Sequence, residues 1–97
     1  MLDKYIVRSS ERTAHRVING EAVVINLKKS TFHTLNPVAT FIWEHADGKM
    51  TGKEIVERVC QEFEVDWDTA EKDCLEFVGE LTNKGLVVLS QAPSEKG

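Results

Sequence analysis

Between residues 14 and 35 apolar side chains alternate with polar ones. Beyond Pro37 they recur every third or fourth position, which marks a change from strands to helices. Val17-Ile18-Asn19-Gly20-Glu21-Ala22 sets Asn-Gly between two β-prone runs, a hairpin signal because both central residues of a type I′ turn take positive φ. In the strand that follows, Val23, Ile25 and Leu27 share one face, while Ala22, Val24 and Asn26 share the other. Lys28-Lys29 makes a polar turn into Ser30-Thr31-Phe32-His33-Thr34-Leu35, whose β-branched and aromatic residues predict a third strand. The expected product is a three-stranded antiparallel meander.

Asn36-Pro37 opens the helical part, because an Asn side chain can cap a helix and Pro at the first helical position sacrifices no needed N–H. The first helix is expected from Pro37 to about Ala46, with Asp47-Gly48 as its stop. Thr51-Gly52-Lys53-Glu54 has capping-box spacing and starts a second helix that buries Ile55, Val56, Val59, Cys60 and Phe63. Asp66 caps a third, whose Ala70, Cys74, Phe77, Val78 and Leu81 fall on one stripe, and Lys84-Gly85 stops it. Phe41, Trp43, Val59, Phe63, Phe77 and Leu81 are the expected core of the helical trio. Leu86-Val87-Val88-Leu89 reads as a short last strand. Residues 1–13 are read as an N-terminal arm with a short strand at 5–8, residues 14–89 as the domain, and residues 90–97 as a disordered tail. The fold class is α+β: a winged-helix-like domain, a three-stranded sheet followed by three helices and a last strand.

Composition narrows the function. The 97 residues are 41% hydrophobic and 29% charged, enough for one modest core, and carry a net charge of −4. The longest apolar runs, 22–25 and 86–89, fall far short of the roughly 20 residues that span a bilayer. The opening Met-Leu-Asp-Lys-Tyr shows no signal-peptide core, so a cytoplasmic protein without membrane partners is expected. Cys60 and Cys74 lie in apolar helical patterns and read as reduced, buried residues.

Candidate chemistry is sparse. His15, His33 and His45 have no second ligand at metal spacing, and no phosphate loop or Cys-x-x-Cys occurs. The expectation is a protein without catalytic residues, metal or cofactor. The second and third helices resemble a helix-turn-helix, which makes a winged helix-turn-helix DNA-binding regulator the alternative. Against it, the would-be reading helix carries Asp68, Glu71, Asp73, Glu76 and Glu80 against Lys72 and Lys84, a balance that repels phosphate. Nucleic acid is therefore not an expected partner. Peptide binding suits the residues better: an edge strand can accept a partner segment by β-augmentation, and Thr31 to Leu35 contain no Lys, Glu or Pro to blunt it. The candidate peptide-binding residues are Thr31, Phe32, His33, Thr34 and Leu35 on the strand and Glu71, Leu75 and Val78 on the third helix. Leu75 is included as the one large apolar residue off that helix's main stripe.

The ordered set His33-x-Leu35-Asn36, Ala39, Ile42-Trp43-Glu44, Asp47-Gly48, Thr51, Glu54-Ile55, Asp73, Phe77, Leu81 and Gly85-Leu86-Val87 resembles the PqqD family across residues 5–89. The resemblance implies a winged-helix recognition element for ribosomally made, post-translationally modified peptides. Such a protein is a non-catalytic peptide chaperone. It takes the leader of a precursor peptide as an added strand between the third strand and the third helix and presents it to a modifying enzyme. In the name-giving pathway that enzyme is a radical SAM protein and the product is pyrroloquinoline quinone (PQQ).

Overall fold

The computed structural model describes residues 2–9 and 11–93. In chain order the elements are β1 (Tyr5–Arg8), β2 (Thr13–Ile18), β3 (Glu21–Asn26), β4 (Thr31–Thr34), α1 (Pro37–Glu44), β5 (Asp47–Thr51), α2 (Gly52–Phe63), α3 (Trp67–Asn83) and β6 (Val87–Ser90). They form two antiparallel three-stranded sheets, ordered β2-β3-β4 and β5-β1-β6, around three helices. The mixed α+β class and the meander agree with the sequence reading.

The meander follows from its turns. Asn19 and Gly20 both take positive φ, as a type I′ hairpin requires. At the second turn, the buried Asn26 carboxamide accepts from the backbone N–H of Lys28 and Lys29 at 3.0 and 3.1 Å, and Ser30 takes a left-handed conformation. Ala22, Val24 and Asn26 turn inward and are buried, while Ile25 and Leu27 face outward and are exposed.

At the far end of β4 the ladder is completed by a side chain. The Leu35 N–H donates to the Ala22 carbonyl at 2.7 Å. The return bond is relayed: the Ala22 N–H donates to the Thr40 hydroxyl at 2.8 Å, and that hydroxyl donates to the Leu35 carbonyl at 3.3 Å. Thr40 belongs to α1, so strand pairing and helix docking share one buried group. Asn36 caps the same helix by accepting from the Ala39 N–H at 2.8 Å.

Three regions depart from the sequence reading. Helix α1 stops at Glu44, and Asp47–Thr51 is a strand where only a turn was expected. The signal was hidden because β5 is built from Asp, Gly, Lys, Met and Thr and has no alternation of its own; its partner β1 supplies the order. The short strand expected at 5–8 is present, but as the central strand of the second sheet, with Ile6 buried, where the sequence reading set it apart in an arm. Ser90 closes β6, and residues 94–97 of the expected tail lie outside the described residues, as do Met1 and Ser10.

The core joins both sheets to the helices through Ile6, Val24, Ile42, Trp43, Ile55, Val59, Cys74, Val78, Leu81 and Leu86. Trp43 is fully buried; its backbone carbonyl accepts from the Arg8 guanidinium at 3.3 Å, and the His15 ring meets its edge at 5.8 Å between centroids. Phe41, Phe63 and Phe77, expected in the core, are only partly buried and pack against its margin. Cys74 is buried, and desolvation pushes its thiol up to about 11, whereas Cys60 is only partly buried at the core margin, short of its expected burial. The capping box at Thr51 and Glu54 forms as read, and Asp66 caps α3 by accepting from the Thr69 N–H, and hydrogen bonds from the Thr69 side chain and backbone hold its carboxyl below the usual range.

The relay through Thr40 can be tested by Thr40→Val, which keeps the volume but strands the Ala22 N–H in the interior. The expected loss is about 1–3 kcal/mol in urea unfolding, the cost of a buried unsatisfied donor. A midpoint unchanged from the parent protein would mean the hydroxyl contributes nothing.

Candidate functional site

The register of β4 decides which of its backbone groups are free. Val23 faces Thr34, Val24 faces His33, Ile25 faces Phe32 and Asn26 faces Thr31. Because Leu35 bonds to Ala22 in the next pair, the alternation of an antiparallel ladder turns the backbone groups of Thr31 and His33 toward β3. Those of Phe32 and Thr34 point the other way. β4 is an edge strand of its sheet, so these outward N–H and C=O groups form an open row.

Beside that row runs a groove. Its wider part, roughly 420 Å³, lies between Phe32–Asn36 and Ala39 on one side and Phe77, Glu80, Leu81 and Lys84 on the other. It continues into a narrower part of roughly 260 Å³ between Val38, Ile42 and the helix residues Asp73 and Glu76, with Asn36, Ala39, Phe77 and Glu80 common to both. Its lining is mostly polar: apolar Leu35, Ala39 and Leu81 are largely buried behind it, and half-buried Phe77 stands on its wall among charged residues. Glu80 pairs with Lys84 at 2.8 Å, and Lys84 Nζ lies 3.5 Å from His33 Nδ1. The hydrogen bond and charge of Lys84 hold the Glu80 carboxyl below its usual range.

The sequence-predicted residues divide accordingly. Phe32, His33, Thr34 and Leu35 line the groove. Thr31 lies at the start of the same strand, paired with Asn26. Glu71, Leu75 and Val78 do not line it: Val78 is buried in the core, and Glu71 accepts from the Trp67 indole at 3.0 Å. The reason is the helical phase. The buried stripe of α3, Ala70, Cys74, Val78 and Leu81, has two flanks. At about 100° per residue, Asp73, Glu76, Phe77, Glu80 and Lys84 form the flank toward β4, while Glu71 and Leu75 lie on the other. A helical wheel identifies both flanks but not which one the sheet meets. The residues missed were therefore Ala39, Phe77, Glu80, Leu81 and Lys84; half-buried Phe77, read as core, was the available signal.

A second hollow, roughly 690 Å³, lies between β6 and the segment around Arg12, with Thr82 and Gly85 at its side. It has none of the β4 residues. Among the described residues no three His, Cys, Asp or Glu side chains are grouped to hold a metal ion, and no helix is long and apolar enough to cross a membrane.

Fold and groove together define a winged-helix-like α+β domain with an open edge strand set against a helix. The chain belongs to the PqqD family: the family model "Coenzyme PQQ synthesis protein D (PqqD)" matches residues 21–87. Among solved structures it is similar to one described as TbiB1 in complex with the TbiA(beta) leader peptide. The two are 33% identical, with a TM-score of 0.74 over 84% of this chain and 93% of that one. Comparison with curated proteins found no match.

The placement of Phe77 on the groove wall makes it a surface of the site and only partly a core residue. Phe77→Ala is expected to cost about 2 kcal/mol by denaturant titration, less than the roughly 3–5 kcal/mol of a fully buried phenylalanine. A loss at the upper end would return Phe77 to the core.

Proposed function

We propose that this protein is a peptide chaperone of the PqqD kind: it binds the leader of a ribosomally made precursor peptide and presents it to a modifying enzyme, without itself catalysing a reaction. The observation that carries this reading is the open row of backbone groups at Phe32 and Thr34 beside a groove walled by Phe77 and charged residues of α3. A partner in extended conformation would pair with β4 and complete the sheet. Its alternate side chains would enter the groove against Ala39, Phe77 and Leu81. Main-chain pairing provides orientation and part of the affinity, and the groove selects side chains at every second position. The similarity to a chain solved with a leader peptide supports the same reading.

The partner enzyme is proposed to be a radical SAM protein, and the pathway that of PQQ or a related peptide product, on family membership. No cofactor is required for the binding step, and a cytoplasmic setting suits a precursor that has not yet been exported. The DNA-binding alternative gains nothing from the fold: the groove-facing flank of α3 presents Asp73, Glu76 and Glu80 with Lys84 already paired, which would repel phosphate.

The test is calorimetric titration of a leader peptide encoded beside this gene. Thr34→Pro removes an outward N–H and is expected to weaken binding by about tenfold or more, whereas Leu75→Glu on the far flank of α3 leaves it unchanged. Circular dichroism establishes that both variants are folded. Full affinity in a folded Thr34→Pro variant would place the leader elsewhere, and a loss confined to Leu75→Glu would move it to the opposite flank.

A further inference from the structure

The charges around the groove are ordered along its length. α3 and the β4–α1 segment run in opposite senses: His33 and Thr34 share the groove with Leu81 and Lys84, whereas Val38 and Ile42 share its other end with Asp73 and Glu76. The end near α1 is acidic, with both Asp73 and Glu76 exposed. Toward the other end the Glu80 charge is offset by Lys84, and Lys28 and Lys29 stand exposed in the turn that leads into β4, with His33 beside Lys84. Apolar Ala39, Phe77 and Leu81 occupy the middle.

We propose that this gradient fixes the direction of the bound leader, an inference that rests on the strand-addition reading above. Antiparallel pairing, the more stable arrangement per residue, carries a leader from the Asp73–Glu76 end toward the Lys28–Lys29 end. The leader segment then has Lys or Arg on its N-terminal side, an apolar side chain in the middle and Asp or Glu on its C-terminal side. Both charges and the apolar residue between them enter the groove together when they lie an even number of positions apart, since alternate side chains of a strand point the same way. The reversed order would set like charges together at both ends, so the gradient rejects a leader of opposite polarity as well as attracting the right one.

The test uses a random library of roughly twelve-residue displayed peptides, selected on the full chain and counter-screened on Thr34→Pro. The expected winners have a basic, apolar, acidic order with these residues an even number of positions apart, and lose binding to Thr34→Pro. Asp73→Lys with Glu76→Lys, both at exposed positions, is expected to weaken a winner by about tenfold, and exchanging that winner's basic residue for Glu is expected to restore it. Winners that require the β4 edge but show no charge order, or the reverse order, would overturn this inference and leave strand addition standing. If nothing is enriched, or the winners ignore Thr34→Pro, strand addition falls and this inference with it.

Discussion

The hydroxyl of Thr40 occupies the place where the last rung of the β3–β4 ladder would otherwise close, accepting from Ala22 and donating to Leu35. One buried group thereby ties three things together: the register of β4, the start of α1 and the inward face of β3. A shift of β4 by one residue would break this relay and turn Leu35 out of the core. With the register fixed, Phe32 and Thr34 have no choice but to turn their backbone groups to the open edge. With α1 fixed, Ala39 and Ile42 stand opposite α3 and the groove has its second wall.

An open strand edge is a hazard in a small protein because it invites pairing with other chains. The described structure limits it by keeping β4 to four residues and by closing one end with the Asn36-capped helix. Phe32, 71% exposed, remains uncovered on the outer face of that strand. The Glu80–Lys84 pair spans one helical turn on the wall of the groove. In such an exposed position it contributes little to stability. Its effect is to leave Asp73 and Glu76 as the uncompensated charges at the far end of the groove.

Much of this architecture was legible in the chain because it depends on local rules. Asn19-Gly20, Asn36-Pro37, the Thr51–Glu54 box and Asp66 each dictate a turn or a cap from a few residues, and the structure has every one of them. The second sheet was less legible because its strands are brought together from residues 5–8, 47–51 and 87–90, and β5 lacks any pattern that would mark it alone. The site divided along the same line. The strand residues followed from an unblunted edge, a property of one segment. Which flank of α3 faces that edge depends on how the helix packs on the rest of the protein, so the sequence points to Leu75 and Glu71 where Phe77, Glu80 and Lys84 line the groove. The role of Thr40 is not legible in the sequence, because a threonine inside a helix has no local signature of a bond to a distant strand.

The central claim is that β4 receives a partner strand along its outer edge, and amide hydrogen exchange followed by NMR reads that edge residue by residue. In the free protein the N–H groups of Phe32 and Thr34 are expected to exchange faster than those of His33 and Leu35, which turn toward β3. On addition of the leader peptide, Phe32 and Thr34 should become protected while His33 and Leu35 change little. A leader that binds without slowing exchange at Phe32 and Thr34 would contradict strand addition at β4.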